Sequence, residues 1–191
     1  MCKDIWPAAE VCMFEPQPDK KPVLERLVRA TPGLTLRTEV LGDRPGQQVV
    51  FQLAESGSST MEFLPGSSTV PSIVLRTATL SNALAGTAFA RPHLIKLDVQ
   101  GAEMKVLSGG QDVLQAAEVV MLEVSLIEEY RDAPLFADVM AYMAEQGFLV
   151  QDICTIFRNT ADQTMNEADV IFIRKGSPLA RVGHPPLQTG R

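Results

Sequence analysis

The stretch Leu94–Glu103, LIKLDVQGAE, constrains this chain more than any other part of it. Leu94, Ile95 and Leu97 form an apolar run broken only by Lys96, long enough for a buried strand. The run ends at a carboxylate, Asp98. Gln100 and Gly101 then break the pattern, and Ala102, Glu103, Met104, Val106 and Leu107 resume at helical spacing. A strand that ends in an acid and turns through a glycine into a helix is the βα unit of an open parallel sheet. Ligands bind such sheets outside the carboxyl ends of the strands. Asp98 is therefore the first candidate for chemistry. Aspartate also commonly caps the helix that follows it, and the local sequence leaves both roles open.

Similar units flank this one. Val11–Phe14 is a short apolar strand that also ends in an acid, Glu15, and Pro16 holds Glu15 in the extended region. From Pro22 to Ala30 the apolar positions Val23, Leu24, Leu27 and Val28 share a helical face, and Thr31-Pro32-Gly33 stops the helix. Leu34–Leu41 alternates as a strand. Across the turn Gly42-Asp43-Arg44-Pro45-Gly46, Gln48–Leu53 completes a predicted hairpin. Polar loops at Ser56–Thr60 and Pro65–Pro71 precede a strand at Ile73–Leu80 and a short helix to Ala88. Glu118–Val124 predicts a further buried strand with Glu123 near its end. Pro134 opens an amphipathic helix, with Leu135, Val139, Met140 and Met143 on one face and Gly147 as its stop. Phe148–Ile153 and Asp169–Ile173 are expected to close the sheet as an antiparallel pair. The order of elements predicts one α/β domain over residues 1–175 with helices on both faces of the sheet. Residues 176–191, rich in proline and glycine, are expected to form a flexible tail.

Composition narrows the partners. A chain of 191 residues suits one domain burying roughly 70% of its unfolded surface. Its 17 basic and 23 acidic side chains give a net charge of −6, which argues against nucleic acid or an anionic membrane as a partner. Cys2, Cys12 and Cys154 lack metal-like spacing and read as reduced thiols, with Cys12 and Cys154 expected in the core. No apolar run approaches a membrane span and no signal-peptide pattern opens the chain, so a cytoplasmic location is expected. No His and Cys cluster suggests a metal. His93 precedes the central strand at its amino end and reads as structural; His184 lies in the expected tail.

Each candidate site residue has two readings. A carboxylate at Glu15 matches the vicinal diol of an adenosine ribose, or it is a solvated loop acid. Asp43 could accept from an adenine amine, and it equally suits its tight Gly-Asp turn. Ser58 and Ser59 could hydrogen-bond a ligand within ordinary loop composition. Glu103 is explained by the helix dipole alone. Glu123 is less easily explained that way. At the end of a strand beside that of Asp98, the two carboxylates would raise each other's proton affinity, which is how a general base is made.

These motifs together resemble the FkbM-type methyltransferases, which use S-adenosylmethionine. The resemblance runs from Val11 to Lys175 and rests chiefly on LIKLDVQGAEMKVLSGG (Leu94–Gly110) and FEPQP (Phe14–Pro18). The Gly-Asp turn, the Gly-Ser-Ser loop, VVMLEVS (Val119–Ser125) and the Gly-Phe before the closing strands agree in order. The resemblance implies a Rossmann-like, doubly wound, mostly parallel sheet with an antiparallel closing pair and an inserted β-hairpin region. It implies S-adenosylmethionine held by Glu15, Pro16, Asp43, Ser59 and Asp98. The implied reaction is methyl transfer to a small-molecule hydroxyl, of a sugar or secondary metabolite. Asp98 would be the base, with Glu103 and Glu123 as further catalytic candidates.

Two positions depart from the family pattern: Gln100 stands where the family usually has Glu, and Ser81 where an Asp often follows Thr-x-Leu. Family members also carry a strand, a D-x-G-x-N-x-G-like loop and a helix before FEP. By that comparison the first, central strand is expected to be missing, as in an incomplete gene product. The alternative function on that expectation is a truncated, inactive domain with a binding role.

Overall fold

The structure, a computed structural model, describes residues 2–54, 57–64 and 70–180. A one-turn helix, α1 (Cys2–Ile5), leads to β1 (Val11–Phe14), α2 (Lys21–Ala30) and β2 (Leu34–Arg37). Pro22 lies in the first turn of α2, where a missing N–H costs nothing. The helix returns the chain so that β2 runs parallel to β1, with Val11 opposite Leu34. α2 buries none of its side chains fully, and Val23 is 56% exposed. A groove of about 590 Å³ runs between α2 and β2, lined in part by Lys21, Val28 and Leu36.

The expected hairpin does not form. The run Leu34–Leu41 breaks after β2 at Thr38 and Glu39, leaving a two-residue β3 (Val40–Leu41). Next come β4 (Gln48–Gln52) and β5 (Ser72–Ala78), and β5 inserts between the other two in the order β3-β5-β4. β3 lies parallel to β5, and β4 antiparallel. The turn explains this. Gly42 and Gly46 donate their N–H groups to Ala78 and Thr77 carbonyls, and Thr77 Oγ1 donates to Arg44 O at 2.5 Å. Residues 42–47 thus arch over β5 where a tight hairpin would have closed on itself.

The second half of the chain builds a four-stranded sheet. α3 (Leu80–Leu84) is capped by Thr79, whose hydroxyl accepts from Asn82 N. A 3-10 turn at Ala88–Ala90 leads to β6 (Leu94–Leu97), α4 (Glu103–Ser108), α5 (Gln111–Ala116) and β7 (Val119–Ser125). Then follow α6 (Phe136–Glu145), β8 (Phe148–Arg158) and β9 (Met165–Arg174). The strand order is β6-β7-β9-β8, with β6 parallel to β7 and the rest antiparallel. The closing pair forms as expected and is longer than its apolar runs. Across the described strands three pairings are parallel and three antiparallel, a mixed α/β arrangement of Rossmann-like kind.

One face of this sheet is the core. Val120, Leu122 and Val124 of β7 and Val170 and Phe172 of β9 meet Leu107, Leu114, Val139 and Met143 from the helices. Each such side chain contributes roughly 1.5–3 kcal/mol by leaving water. The alternate residues of β7, Val119, Met121 and Glu123, point to the other face and are half-buried. β6 alternates too: Ile95 and Leu97 are inside, Leu94 and Lys96 outside. It is a half-covered edge strand, not the fully buried strand its apolar run predicted, because among the described strands it pairs with β7 alone. β1 likewise pairs with β2 alone, so no described strand bridges β1 and β6. Cys12 and Phe14 of β1 still pack against the main core.

The expected core position of Cys154 is corrected. It is exposed on β8, the edge strand of the sheet, where Leu149, Val150, Ile153, Ile156 and Phe157 are exposed as well. Cys12 is half-buried. At the end of the chain Ser177 N donates to Arg174 O and Ala180 N to Ser177 O. The remainder of the expected tail, residues 181–191 with His184, lies outside the described residues, as do 55–56 and 65–69 of the two expected loops.

The glycine pair after α4 has a packing reason. A Cβ on Gly109 would lie 2.2 Å from Gly42 O, so the Gly42-Asp43 turn rests directly on this helix end. Ser81 donates to the Asp112 carboxylate and ties α3 to α5. Gly109 has an ordinary φ of −76°, so an alanine there is opposed by contact alone. Gly109→Ala should destabilise by about 1–3 kcal/mol, read as a lower urea midpoint at unchanged slope. Val74→Ala, at a position 61% exposed, should stay within about 0.5 kcal/mol; equal effects of the two would contradict this packing.

Candidate functional site

The topology carries acids from three strands to one place. Leu97 pairs with Leu122, so Asp98, one residue past β6, falls beside Glu123. Glu123 in turn pairs with Asp169 of β9, and Ser125 with Glu167. Directly paired residues share a face, so Glu123, Glu167 and Asp169 lie on the sheet face opposite the core.

The turn after β6 sets the geometry. Gln100 (φ 55°) and Gly101 (φ 88°) are both left-handed. At Gly101 only glycine fits without strain, and a Cβ would lie 3.1 Å from Ala133 Cβ. Asp98 does not cap α4: the N-cap position is Ala102, and it makes no side-chain bond. The carboxylate that serves the turn is Glu103, whose Oε1 accepts from Val99 N at 2.9 Å. Glu103 is 4% exposed, and burial raises its pKa, with Asp98 adding to the effect. Its place among the catalytic candidates is therefore exchanged for a supporting one: it is enclosed and already committed to backbone.

Asp98 is reachable, its side chain 46% exposed. Its Oδ2 lies 3.1 Å from Lys96 Nζ, and its Oδ1 accepts from Gln100 Nε2 at 3.2 Å. Burial works to raise its pKa, but Lys96 and the bonds from Gln100 and Glu123 outweigh that and hold the carboxyl below its ordinary value. Glu123 is the opposite case. Burial, then the charges of Asp98 and Glu167, push it up to about 8. Glu167 rises to about 7, through burial first and then Glu129 and Asp98. Asp169 is nearly enclosed, and its Oδ1 is buried without a hydrogen-bond partner. The two carboxyls of the pair are thus pushed in opposite directions, Asp98 below its ordinary value and Glu123 above it.

Other expected residues fall elsewhere. Glu15 stands at the carboxyl end of β1, half-buried, with Oε1 accepting from Gln17 N at 2.9 Å. Pro16 follows it, also half-buried. The structure does not bring Asp43 to the acids. It is exposed, lies 3.7 Å from Arg44, and borders Gly109 at the end of α4 away from Glu103. Ser59 is wholly enclosed: Oγ donates to Gln100 O at 2.7 Å and accepts from Met61 N at 2.9 Å. With its hydroxyl spent on these two partners, it supports the turn and does not face a ligand. Ser58 closes its own loop onto Ala54. His93 is exposed, and its backbone carbonyl accepts from Glu118 and Val119 N–H groups. Among the described residues no group of three His, Cys, Asp or Glu could hold a metal, and no helix is long and apolar enough to cross a membrane.

Tyr130, Glu167 and Asp169 were missed as site residues in the sequence. Tyr130 is 2% exposed and packs with Met61, Ala102 and Phe63 over the turn. Its hydroxyl lies 2.9 Å from Gln100 Oε1 and 3.2 Å from Gly57 O. The available signal was the alternation of Glu167 and Asp169 at the start of an apolar strand, which reads as a face and not as a loop.

Fold and site together define an α/β protein with a carboxyl pair at the ends of adjacent parallel strands. The Methyltransferase FkbM domain matches residues 3–150, and the chain belongs to the FkbM methyltransferase family. A solved FkbM methyltransferase from Methylobacillus flagellatus KT is similar at 15% identity with a TM-score of 0.49. The match covers 84% of this chain and 36% of that one. No curated protein matches the chain.

A carboxyl held above its ordinary value binds its proton more tightly in the folded state. It therefore favours folding at low pH, and that contribution is lost as pH rises from 4.5 through about 8. The thermal midpoint should accordingly fall across this range. Glu123→Gln should flatten the fall and exceed the wild type at about pH 8. Parallel curves for the two proteins would show that Glu123 titrates normally.

Proposed function

We propose that this chain serves methyl transfer from S-adenosylmethionine to a small-molecule hydroxyl, with the Asp98–Glu123 pair as the proton acceptor. The observation that carries this reading is the pair itself: two carboxyls on adjacent strand ends, both bonded to the Gln100 amide, with Asp98 held below and Glu123 above the ordinary carboxyl value. The donor chemistry of the site fits the cofactor. A sulfonium is a cation and adenosine carries a vicinal diol, and the side chains present are carboxylates, Glu15 at the end of β1 and Asp98 at the end of β6. Glu15, with Pro16 keeping the strand extended, would hold the ribose, and Asp98 would face the positive charge. When bound, S-adenosylmethionine supplies an electrophilic methyl group. The protein's own work is alignment at near-contact distance and removal of the hydroxyl proton.

A base works best when its pKa lies near the working pH. This favours Glu123 as the group that takes the proton, with Asp98 as the ionised partner that keeps its affinity high. The order differs from the sequence expectation, in which Asp98 was the base. Glu123 in its ionised form would take the hydroxyl proton as the oxygen–carbon bond forms and the carbon–sulfur bond breaks, the sulfur leaving as a neutral thioether. Asp43 keeps a place in this reading only as part of the turn beneath α4.

The cofactor claim is tested by calorimetry and by transfer of labelled methyl from S-adenosylmethionine to a panel of sugar and secondary-metabolite hydroxyls. Transfer should rise with pH to a plateau above about 8, following the ionisation of Glu123. Asp98→Asn removes the neighbouring charge, so the same rise should move to lower pH, and Glu123→Gln should lower the rate by about 10²-fold or more. No heat at millimolar cofactor would instead leave the chain as an inactive domain of this family.

A further inference from the structure

Gln100 is the residue on which the site converges, and its conformation is unusual for its type. Left-handed backbone favours glycine, asparagine and aspartate, and glutamine has no short local bond to offset the strain. Here the offset comes from Asp98 close by and from partners on three separate segments. Its backbone carbonyl accepts from Ser59 Oγ at 2.7 Å, and Oε1 accepts from the Tyr130 hydroxyl at 2.9 Å. Nε2 donates to Asp98 Oδ1 at 3.2 Å and Glu123 Oε2 at 2.5 Å. An amide nitrogen has two protons, and each finds a carboxyl from a different strand end. The acceptors on one side and the phenol on the other fix which way the amide points.

We propose that Gln100 is the positioning residue of this site. Its amide nitrogen bridges the Asp98 and Glu123 carboxyls, and its carbonyl latches Tyr130 and the loop over the strand ends. The inference rests on the methyltransferase reading above. A carboxylate at this position could accept from Tyr130 but could not donate to two carboxyls, so the bridge needs an amide.

The charged and titratable groups around the pair are Lys96 on β6, Glu103 on α4, Glu167 and Asp169 on β9, and Glu129 and Tyr130 in the loop after β7. Lys96 is the cation among them, so a further carboxylate at position 100 would meet little compensation.

The test is a carbon-13 carboxyl NMR titration of the whole chain, with Asp98 and Glu123 assigned through Asp98→Asn and Glu123→Gln. Parallel pH–rate curves for labelled methyl transfer accompany it. Gln100→Glu should move the Glu123 midpoint upward by about one pH unit or more and carry the rate curve with it. Gln100→Ala should let Asp98 rise toward its ordinary value. Tyr130→Phe leaves the amide in place and removes the latch, and should shift the same midpoints in the Gln100→Ala direction, by less. It also serves if a Gln100 variant does not fold. Folded variants with unchanged midpoints would overturn the proposal, as would an unchanged Tyr130→Phe. If the wild type transfers no methyl group, the methyltransferase reading falls while the titration still decides the role of Gln100.

Discussion

Everything at the candidate site depends on the left-handed turn between β6 and α4. Two consecutive residues with positive φ, Gln100 and Gly101, redirect the chain within a few residues of the strand end. The turn is held from below by Glu103, which accepts from Val99 N, and from above by Ser59 and Tyr130. Glycine at 101 lets Ala133 and Tyr130 approach closely. Relaxing the turn would separate Asp98 from Glu123 and release the loop that carries Met61. Strain of this kind persists only where surrounding contacts over-determine it, and here Ser59, Glu123 and Tyr130 supply them from three segments distant in sequence.

The sheet explains why acids can gather there. Its core face is closed by α3 to α6, and the alternate residues of β7 and β9 are left on a face that is half open. On that face Glu123 and Glu167 are partly buried, which raises their proton affinity, and the hydration they keep limits the rise. The same openness reaches the strand edges. β1 and β6 each pair on one side among the described strands, so their other backbone groups rely on solvent or side chains. Arg174 shows how the closed side is finished: it bonds the Ala117 and Leu114 carbonyls at the end of α5 and stacks over Phe148 at 4.5 Å.

Much of this was legible in the sequence, and for definite reasons. The periodic segments at Pro22–Ala30 and Pro134–Gly147 are helices because their apolar stripes and end signals agree. The Leu94–Glu103 stretch is a strand, turn and helix as its pattern predicts, and Glu123 lies beside Asp98 because strand order follows the βα rule. Pairing partners were less legible. The spacing of Leu34–Leu41 and Gln48–Leu53 suits a hairpin, and only the long-range bonds of Thr77 show that β5 intervenes. The depth of β6 was misread because its apolar run says nothing about a strand edge. Ser59 was placed against a ligand because loop composition cannot reveal that a hydroxyl is already bonded twice. Tyr130 could not be found from its own neighbourhood, since its partner Gln100 is 30 residues away.

The central claim is that the ends of β1 and β6 form the ligand site of this chain. Backbone amide shift mapping of the 191-residue protein with S-adenosylmethionine tests it most directly. The account predicts changes centred on Glu15 and on Asp98 to Gly101, with smaller ones at Ser59 and Tyr130 as the turn tightens. Changes centred on the groove between α2 and β2, at Lys21, Val28 and Leu36, or no changes at saturating cofactor, would contradict it.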